Sequence, residues 1–323
     1  MIHFCTYFDR NYLTRAVALH QSLVRHSPPF TLWALCLDDD AYEAVAALNL
    51  ESLRPIRLSD LEDADPALVE AKKNRSTVEY YFTLSPALPL YLLDRVPEIE
   101  SITYLDSDLL FYSSPGPIFD ELAGGSVVIV SHRYAPHLSH LSIYGTFNVA
   151  MLAFRNDRAA RAVLARWREQ CLEWCYDRVE GGKFADQGYL DEWPGLPGVR
   201  VIDHPGVDLA PWNFVQYEID LGADPPAVDG RPLVFYHFQG FKAVGPGLWD
   251  LGLEGYSPMD RGLRSWLYGG YLRDLRAADR LVRSRAPSAA RSRNIRRPHY
   301  GRREVVRRLR EGQIIVSPRS FRL

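Results

Sequence analysis

Apolar positions in the first half of the chain switch repeatedly between strand-like and helix-like spacing, and the switching lays out an α/β domain. Residues 1–7 read as a first strand, and residues 11–26 then place Leu13, Ala16, Val17, His20, Leu23 and Val24 on one helical face. Residues 31–37 make a second strand, Asp38, Asp39 and Asp40 supply capping carboxylates for a helix running to residue 48, and residues 54–58 make a third strand. Asp65-Pro66 starts another helix, with proline at the first helical position, where no N–H is needed. A helical region follows over 77–93, which Pro86 and Pro89 are expected to break, and residues 99–105 form the next strand. Strands and helices alternating in this way predict a mostly parallel central sheet covered by helices.

The second half is less regular. Residues 127–130 and 148–154 read as strands, and residues 157–176 as a helix burying Ala160, Val163, Leu164, Trp167 and Cys171. Gly181-Gly182 interrupts the pattern, and 199–202 and 233–237 are further strands among loops rich in proline and glycine. Beyond residue 256 the pattern turns helical and basic, broken by Pro287 and Pro298. The expected organisation is a domain over 1–255 and a helical, arginine-rich C-terminal extension over 256–323.

At 323 residues and 47% hydrophobic, the chain is long enough for a well-buried core. The N-terminus has no basic lead before an apolar run, and no stretch reaches the roughly 18 apolar residues that span a bilayer, so a cytoplasmic protein is expected. Four scattered cysteines do not suggest a disulfide framework. Cys171 and Cys175 lie four apart on a predicted helix with no second Cys/His pair nearby, and read as buried thiols. The net charge of -2 hides an asymmetry: between Arg276 and Arg310 thirteen arginines face two acidic residues, a local +11, which leaves -14 for residues 1–275 once the +1 of the last thirteen residues is counted. Such a tail suits an anionic surface, whether lipid headgroups at the inner face of a membrane, nucleic acid or an acidic partner; a solvated arginine-rich helix gives the same pattern.

The candidate chemistry starts where the 99–105 strand ends, at Tyr104-Leu105-Asp106-Ser107-Asp108. Two carboxylates held within about 5 Å repel by roughly 3 kcal/mol at an effective dielectric near 20, so a cation is wanted between them. Oxygen ligands at the carboxyl end of a strand suit Mg2+, Mn2+ or Ca2+ bound with a phosphate-bearing ligand. A second candidate is Phe235-Tyr236-His237-Phe238-Gln239-Gly240-Phe241-Lys242, in which His237 ends an apolar run, Gly240 permits close backbone approach and Lys242 can reach a phosphate oxygen. A histidine at a strand end is also a common structural residue; joined to Asp106 and Asp108, its imidazole favours Mn2+ over Mg2+. The third is Asp186-Gln187, a carboxylate and an amide able to bond several sugar hydroxyls, and equally a helix cap. Pro211-Trp212-Asn213 and Tyr80-Tyr81 add aromatic and amide groups that suit a sugar or a core.

Together these residues resemble the GT-A (Rossmann-like) nucleotide-diphospho-sugar glycosyltransferases, nearest to family eight and its bacterial relatives. The resemblance runs from Met1 to about Val244, through Tyr104 to Asp108, Phe147-Asn148-Val149-Ala150, Ala185-Asp186-Gln187 and His237 to Lys242. It implies that Asp106, Asp108 and His237 hold Mn2+ (or Mg2+) against the donor diphosphate, with Ser107, Gly240 and Lys242 beside it. It also implies that Thr6, Tyr7, Asp9, Asn11 and Tyr12 cradle the nucleotide, and that Asn148, Asp186 and Gln187 line the donor sugar and reacting centre. Many members carry an arginine before the Asp-x-Asp strand; here Arg75 or Lys73 stands nearest, while residues 81–86 offer none. The implied activity is retaining transfer of a sugar, from a UDP-sugar, to a hydroxyl of a glycan, lipid-linked or protein acceptor, with no nucleic-acid partner. A sugar-nucleotide pyrophosphorylase is the nearer rival, although its glycine-rich loop after the first strand is absent from Phe8-Asp9-Arg10-Asn11. A phosphatase would place its Asp-x-Asp by the first strand, and a silent sugar-nucleotide or membrane-associated binding protein need not keep a metal triad.

Overall fold

The computed structural model describes residues 1–292 and 300–317. The predicted break at Pro298 and Arg293, Arg296, Arg297, Arg319 and Arg322 of the basic tail lie outside the described residues. Strands β1 (Ile2–Phe8), β2 (Phe30–Cys36), β3 (Leu53–Arg57) and β4 (Ser101–Leu105) form the parallel half of a seven-stranded sheet. A short strand, β5 (Leu109–Phe111), leaves this sheet, which continues through β6 (Val127–Ser131), β7 (Phe147–Arg155) and β8 (Val199–Val201) in the order β3-β2-β1-β4-β7-β6-β8. Among the described residues, four of the six pairings are parallel, and β7 runs against both its neighbours.

Side chains alternate across the sheet, so that Phe4 and Phe8 of β1 enter one core and Cys5 between them enters another. The first core lies under α1 (Leu13–His26) and α2 (Asp39–Leu48); the second lies under α3 (Leu58–Ala64), α4 (Pro66–Lys72), α5 (Thr77–Leu84) and α6 (Ala87–Arg95). Next come α7 (Gly116–Ala123) on the first side and α8 (Arg158–Glu173) on the second, where Trp167 and Cys171 are fully buried. Local chemistry sets the helix starts: Asp38 accepts from the Ala41 N–H at 2.8 Å, Asp157 from that of Ala160 at 2.9 Å, and Pro66 opens α4. Two expectations need correction. Val24 is 57% exposed, because the buried stripe of α1 ends at Leu23 and its last turn is polar, Arg25 pairing with Asp274 at 3.0 Å. Pro86 alone breaks the 77–93 region; Pro89 sits in the first turn of α6, where its missing N–H leaves no bond unmade.

A small ribbon of β9 (Ile219–Asp220), β10 (Ala227–Val228) and β11 (Arg231–Pro232) precedes β12 (Phe235–His237), shorter than the predicted 233–237 strand. β12 pairs antiparallel with β5, setting His237 opposite Leu109. β13 (Lys242–Gly245) and β14 (Leu248–Asp250) then form a hairpin. The stretch from residue 256 is helical, as expected, in α9 (Arg261–Arg285), α10 (Pro287–Ser292) and α11 (Arg302–Arg310), yet it does not hang free. Leu267, Tyr268, Tyr271 and Leu275 of α9 belong to the first core, and β15 (Ile314–Val316) returns to pair with β14.

Part of the basic tail is spent on the acidic body. Arg308 is 4% exposed and contacts Asp250 (3.1 Å), Glu304 (2.6 Å) and Glu254, while Arg307 pairs with Glu304 and Glu311 at 2.7 Å. Asp250 is itself 1% exposed, so removing Arg308 leaves a buried carboxylate without its cation, bonded still by the Tyr300 hydroxyl at 2.6 Å and the Gly252 N–H at 3.0 Å. Arg308→Ala should lower the unfolding free energy in urea by about 3–5 kcal/mol, whereas Arg303→Ala on the exposed face of α11 should change it by less than about 0.5 kcal/mol.

Candidate active site

Asp106, Ser107 and Asp108 are the crossing between β4 of the large sheet and β5, the partner of β12. The Asp106 N–H donates to the Ala150 carbonyl at 2.9 Å and the Phe238 N–H to the Asp108 carbonyl at 3.1 Å, so the crossing is fastened on both sides. His237, buried at the end of β12, turns Nε2 toward the two acids, 3.3 Å from Asp108 Oδ1 and 3.9 Å from Asp106 Oδ2. One ligand atom from each of the three lies within 4.8 Å of the others. His237 Nε2 makes no hydrogen bond despite being buried, which fits a nitrogen whose partner is a metal ion. Burial works against a charged imidazole, but Asp108 and Asp208 overcome it and hold His237 well above the usual histidine range. Burial raises Asp106 against the pull of His237, whereas Asp108, closer to His237 and Arg15, ends below the usual carboxylate range despite its burial.

Two cavities meet at this cluster, sharing Tyr7, Phe82, Asp106 and Gln239. One, of about 420 Å³, includes Asp9, Tyr12, Thr77, Tyr81, Ser107 and Asp108 in its lining. The other, of about 410 Å³, is lined by His132, Tyr134, Asn148, Asp186, Gln187 and Trp212, among others. In the first, the Asp9 carboxylate accepts from the Asn11 N–H (2.9 Å), the Asn11 amide (2.8 Å) and the Tyr12 N–H (3.2 Å), closing the turn after β1 and aiming Tyr12 at the cavity. Tyr81 faces this cavity, while Tyr80 is buried and donates to Glu62 at 2.7 Å.

In the second cavity Asp186 is 4% exposed, and burial pushes its carboxyl up to about 7 against the stabilising bond from Ser85. The Gln187 amide donates to the Tyr144 carbonyl at 2.7 Å. Asn148 accepts from the Ala150 N–H at 3.0 Å and donates to Asp208 at 3.1 Å. His132 stacks on Tyr134 with centroids 4.6 Å apart, and Trp212 stands edge-on to both His132 and His237 at 5.3 Å. Burial pushes His132 down to about 4, leaving a neutral aromatic wall.

Not every expected residue reaches the cavities. Thr6 is fully buried behind Tyr7, and Asn11 is spent on Asp9. Arg75 caps the end of α8, donating to the Leu172 carbonyl (3.2 Å) and to Tyr176 (2.6 Å), and lines neither cavity; Lys73 is exposed and paired with Glu70. Gly240 has φ +73° and packs on Gly252, where a Cβ would stand 2.3 Å from the Gln239 carbonyl, so these two glycines bring the Gln239 loop close to its support. Arg15 steadies the same loop by donating to the Phe241 carbonyl at 2.7 Å. Lys242 opens β13 with an exposed side chain that lines neither cavity. Sequence reasoning missed Asp208, His132, Tyr134 and Gln239. Gln239 lay inside a quoted motif, but Asp208 precedes a short apolar run that gave no sign of its neighbours.

No protein-family model matches the chain. The uncharacterized protein YfnD of Bacillus subtilis (strain 168) is 32% identical over 246 residues, 75% of this chain and 78% of that protein. The uncharacterized protein YfnF of the same organism is 34% identical over 250 residues, covering 75% and 82%. Among solved structures, the galactosyltransferase LgtC in complex with donor and acceptor sugar analogs matches 88% of this chain and 96% of its own, at a TM-score of 0.51 and 16% identity. The chain therefore belongs to the family of YfnD and YfnF and is built on the GT-A glycosyltransferase fold.

Proposed function

We propose that this protein is a metal-dependent glycosyltransferase, moving a sugar from a nucleotide-diphosphate donor, UDP-linked by the sequence resemblance, to a hydroxyl acceptor with retention at the anomeric carbon. The observation that carries the reading is the convergence of Asp106, Asp108 and His237 where two cavities meet. Mn2+ or Mg2+ held there would neutralise the charge growing on a departing diphosphate. The cavity of Tyr12, Asp9 and Tyr81 suits a nucleoside, with aromatic rings beside acceptors for base and ribose. That of Asn148, Asp186 and Gln187 suits the donor sugar, with Tyr134 and Trp212 as a face for the acceptor. Held protonated up to about pH 7, Asp186 donates a hydrogen bond to a sugar oxygen rather than attacking as a free carboxylate. The acceptor proton then leaves to the departing phosphate oxygen. The pyrophosphorylase alternative finds no support in the turn after β1, which Asp9 closes on itself.

No described helix is long and apolar enough to cross a membrane. We also propose that α11, with Arg302, Arg303 and Arg310 exposed beside Val306 and Leu309, rests on an anionic lipid surface and brings a lipid-linked or envelope acceptor within reach.

UDP with Mn2+, at about a hundredfold over its dissociation constant, should stabilise the protein by about 2.7 kcal/mol in thermal unfolding. UDP with EDTA, or Asp108→Ala with UDP and Mn2+, should show no such gain; a panel of nucleotide sugars in which no donor stabilises the protein in a metal-dependent way sinks the transferase reading. A second measurement concerns Asp186. Its folded pKa lies above its unfolded value near 4, so the native state holds the extra proton between pH 4 and 7 and this carboxyl's own contribution to stability falls as pH rises across that window. In EDTA, Asp186→Asn should remove that decline and exceed wild type by up to about 4 kcal/mol above pH 7, and parallel pH profiles would refute the protonated carboxyl. Charge reversal at Arg302, Arg303 and Arg310 should release the protein from anionic vesicles while sparing UDP binding; retained vesicle binding removes the membrane contact.

A further inference from the structure

Behind the three candidate ligands lies a third carboxylate that the proposed chemistry does not use. Asp208 is 0% exposed. Its Oδ2 accepts from the Asn148 amide at 3.1 Å, while its Oδ1 makes no hydrogen bond and stands 3.5 Å from His237 Nδ1. The imidazole thus faces carboxylates through both nitrogens, Nε2 toward Asp106 and Asp108 and Nδ1 toward Asp208.

The backbone places Asp208 there with some force. Its φ is +57°, a left-handed conformation that an aspartate tolerates but rarely adopts. Its carbonyl is held by the Asn213 amide at 2.9 Å and by the Arg133 guanidinium at 3.3 Å. The adjoining Leu209 is laced to the histidine strand, its N–H donating to the Phe235 carbonyl (3.3 Å) and its own carbonyl accepting from the His237 N–H (2.8 Å). Carboxylate and imidazole are therefore carried on bonded stretches of chain.

We infer that Asp208 is the positioning residue for His237 as a metal ligand, an inference that rests on the metal-site reading above. A histidine that binds metal through Nε2 must carry its proton on Nδ1, and a buried anion is the acceptor that fixes that tautomer and the angle of the ring. Asn148 favours the wrong arrangement: its N–H, 3.4 Å from Nδ1, would donate to a bare Nδ1, and its oxygen, committed to the Ala150 N–H, offers no acceptor to an Nδ1 proton, while its other proton goes to Asp208. Asp208 outweighs it by charge. Asp208 itself touches neither cavity, so it acts through the histidine and not on a substrate.

The test is a double-mutant cycle on Mn2+ binding, read from the free-ion signal in electron paramagnetic resonance with no nucleotide present. Asp208→Asn should weaken Mn2+ binding by about 10- to 100-fold, while in a His237→Ala background it should change the affinity by less than about twofold. Equal weakening in both backgrounds, or wild-type affinity in Asp208→Asn, overturns the inference. If wild type binds no Mn2+, the metal reading falls and takes this one with it. Should Asp208→Asn fail to fold, the wild type decides: with Mg2+ bound, proton–nitrogen correlation spectra should show His237 Nδ1 bearing a far-downfield proton, and an Nδ1 without a proton overturns the assignment.

Discussion

Three backbone pairs between β5 and β12 determine whether this molecule has a site. With Leu109 opposite His237, the strand that follows the Asp-x-Asp crossing delivers the imidazole beside Asp108, and the Phe238 N–H closes onto the Asp108 carbonyl. Because side chains alternate faces along a strand, a slip of one residue would turn His237 away from the acids and present Tyr236 or Phe238 instead. The register is held by burial: Phe111, Phe235, Tyr236 and Phe238 are all at or below 1% exposure, and Phe111 and Phe235 pack with ring centroids 5.2 Å apart. The hydrophobic core thus fixes the spacing of the charges, with the His237 imidazole set among Asp106, Asp108 and Asp208.

That dependence explains what could be read from the chain. Elements with one strong period were legible: β1 to β4, α1, α2 and α8 fall within a few residues of where apolar spacing and capping groups put them and α4 starts at Pro66 as expected, whereas the short α3 was not predicted. Asp106 and Asp108 were legible because two acids interrupting an apolar run need a reason. His237 was legible only as a candidate, since nothing local says that residue 237 lies beside residue 108; that follows from pairing across more than a hundred residues. Asp208 and His132 were not legible at all. Both look ordinary in sequence; Asp208 is carried inward by the long-range pairing of Leu209 with β12, and His132 follows β6, where its N–H bonds the Thr146 carbonyl. Arg75 shows the converse, a residue picked for its charge whose guanidinium serves the end of a helix.

The charge asymmetry of the chain acquires a physical meaning in the fold. Acidic body and basic tail are partners at Asp250 and Glu254, where Arg308 is enclosed together with Glu304 of its own helix. Among the described residues, what remains outward includes Arg302, Arg303 and Arg310 of α11 and Arg280 of α9.

The late return of β15 has a consequence in time. Residues 314–316 are the outer strand of the small sheet whose hairpin leads through Asp250 to Gly252, and Gly252 is the surface on which the Gln239 loop rests. A nascent chain that has already folded its large sheet still lacks this brace, so the Gln239 side of the wall shared by the two cavities is completed only after residues 314–316 have left the ribosome.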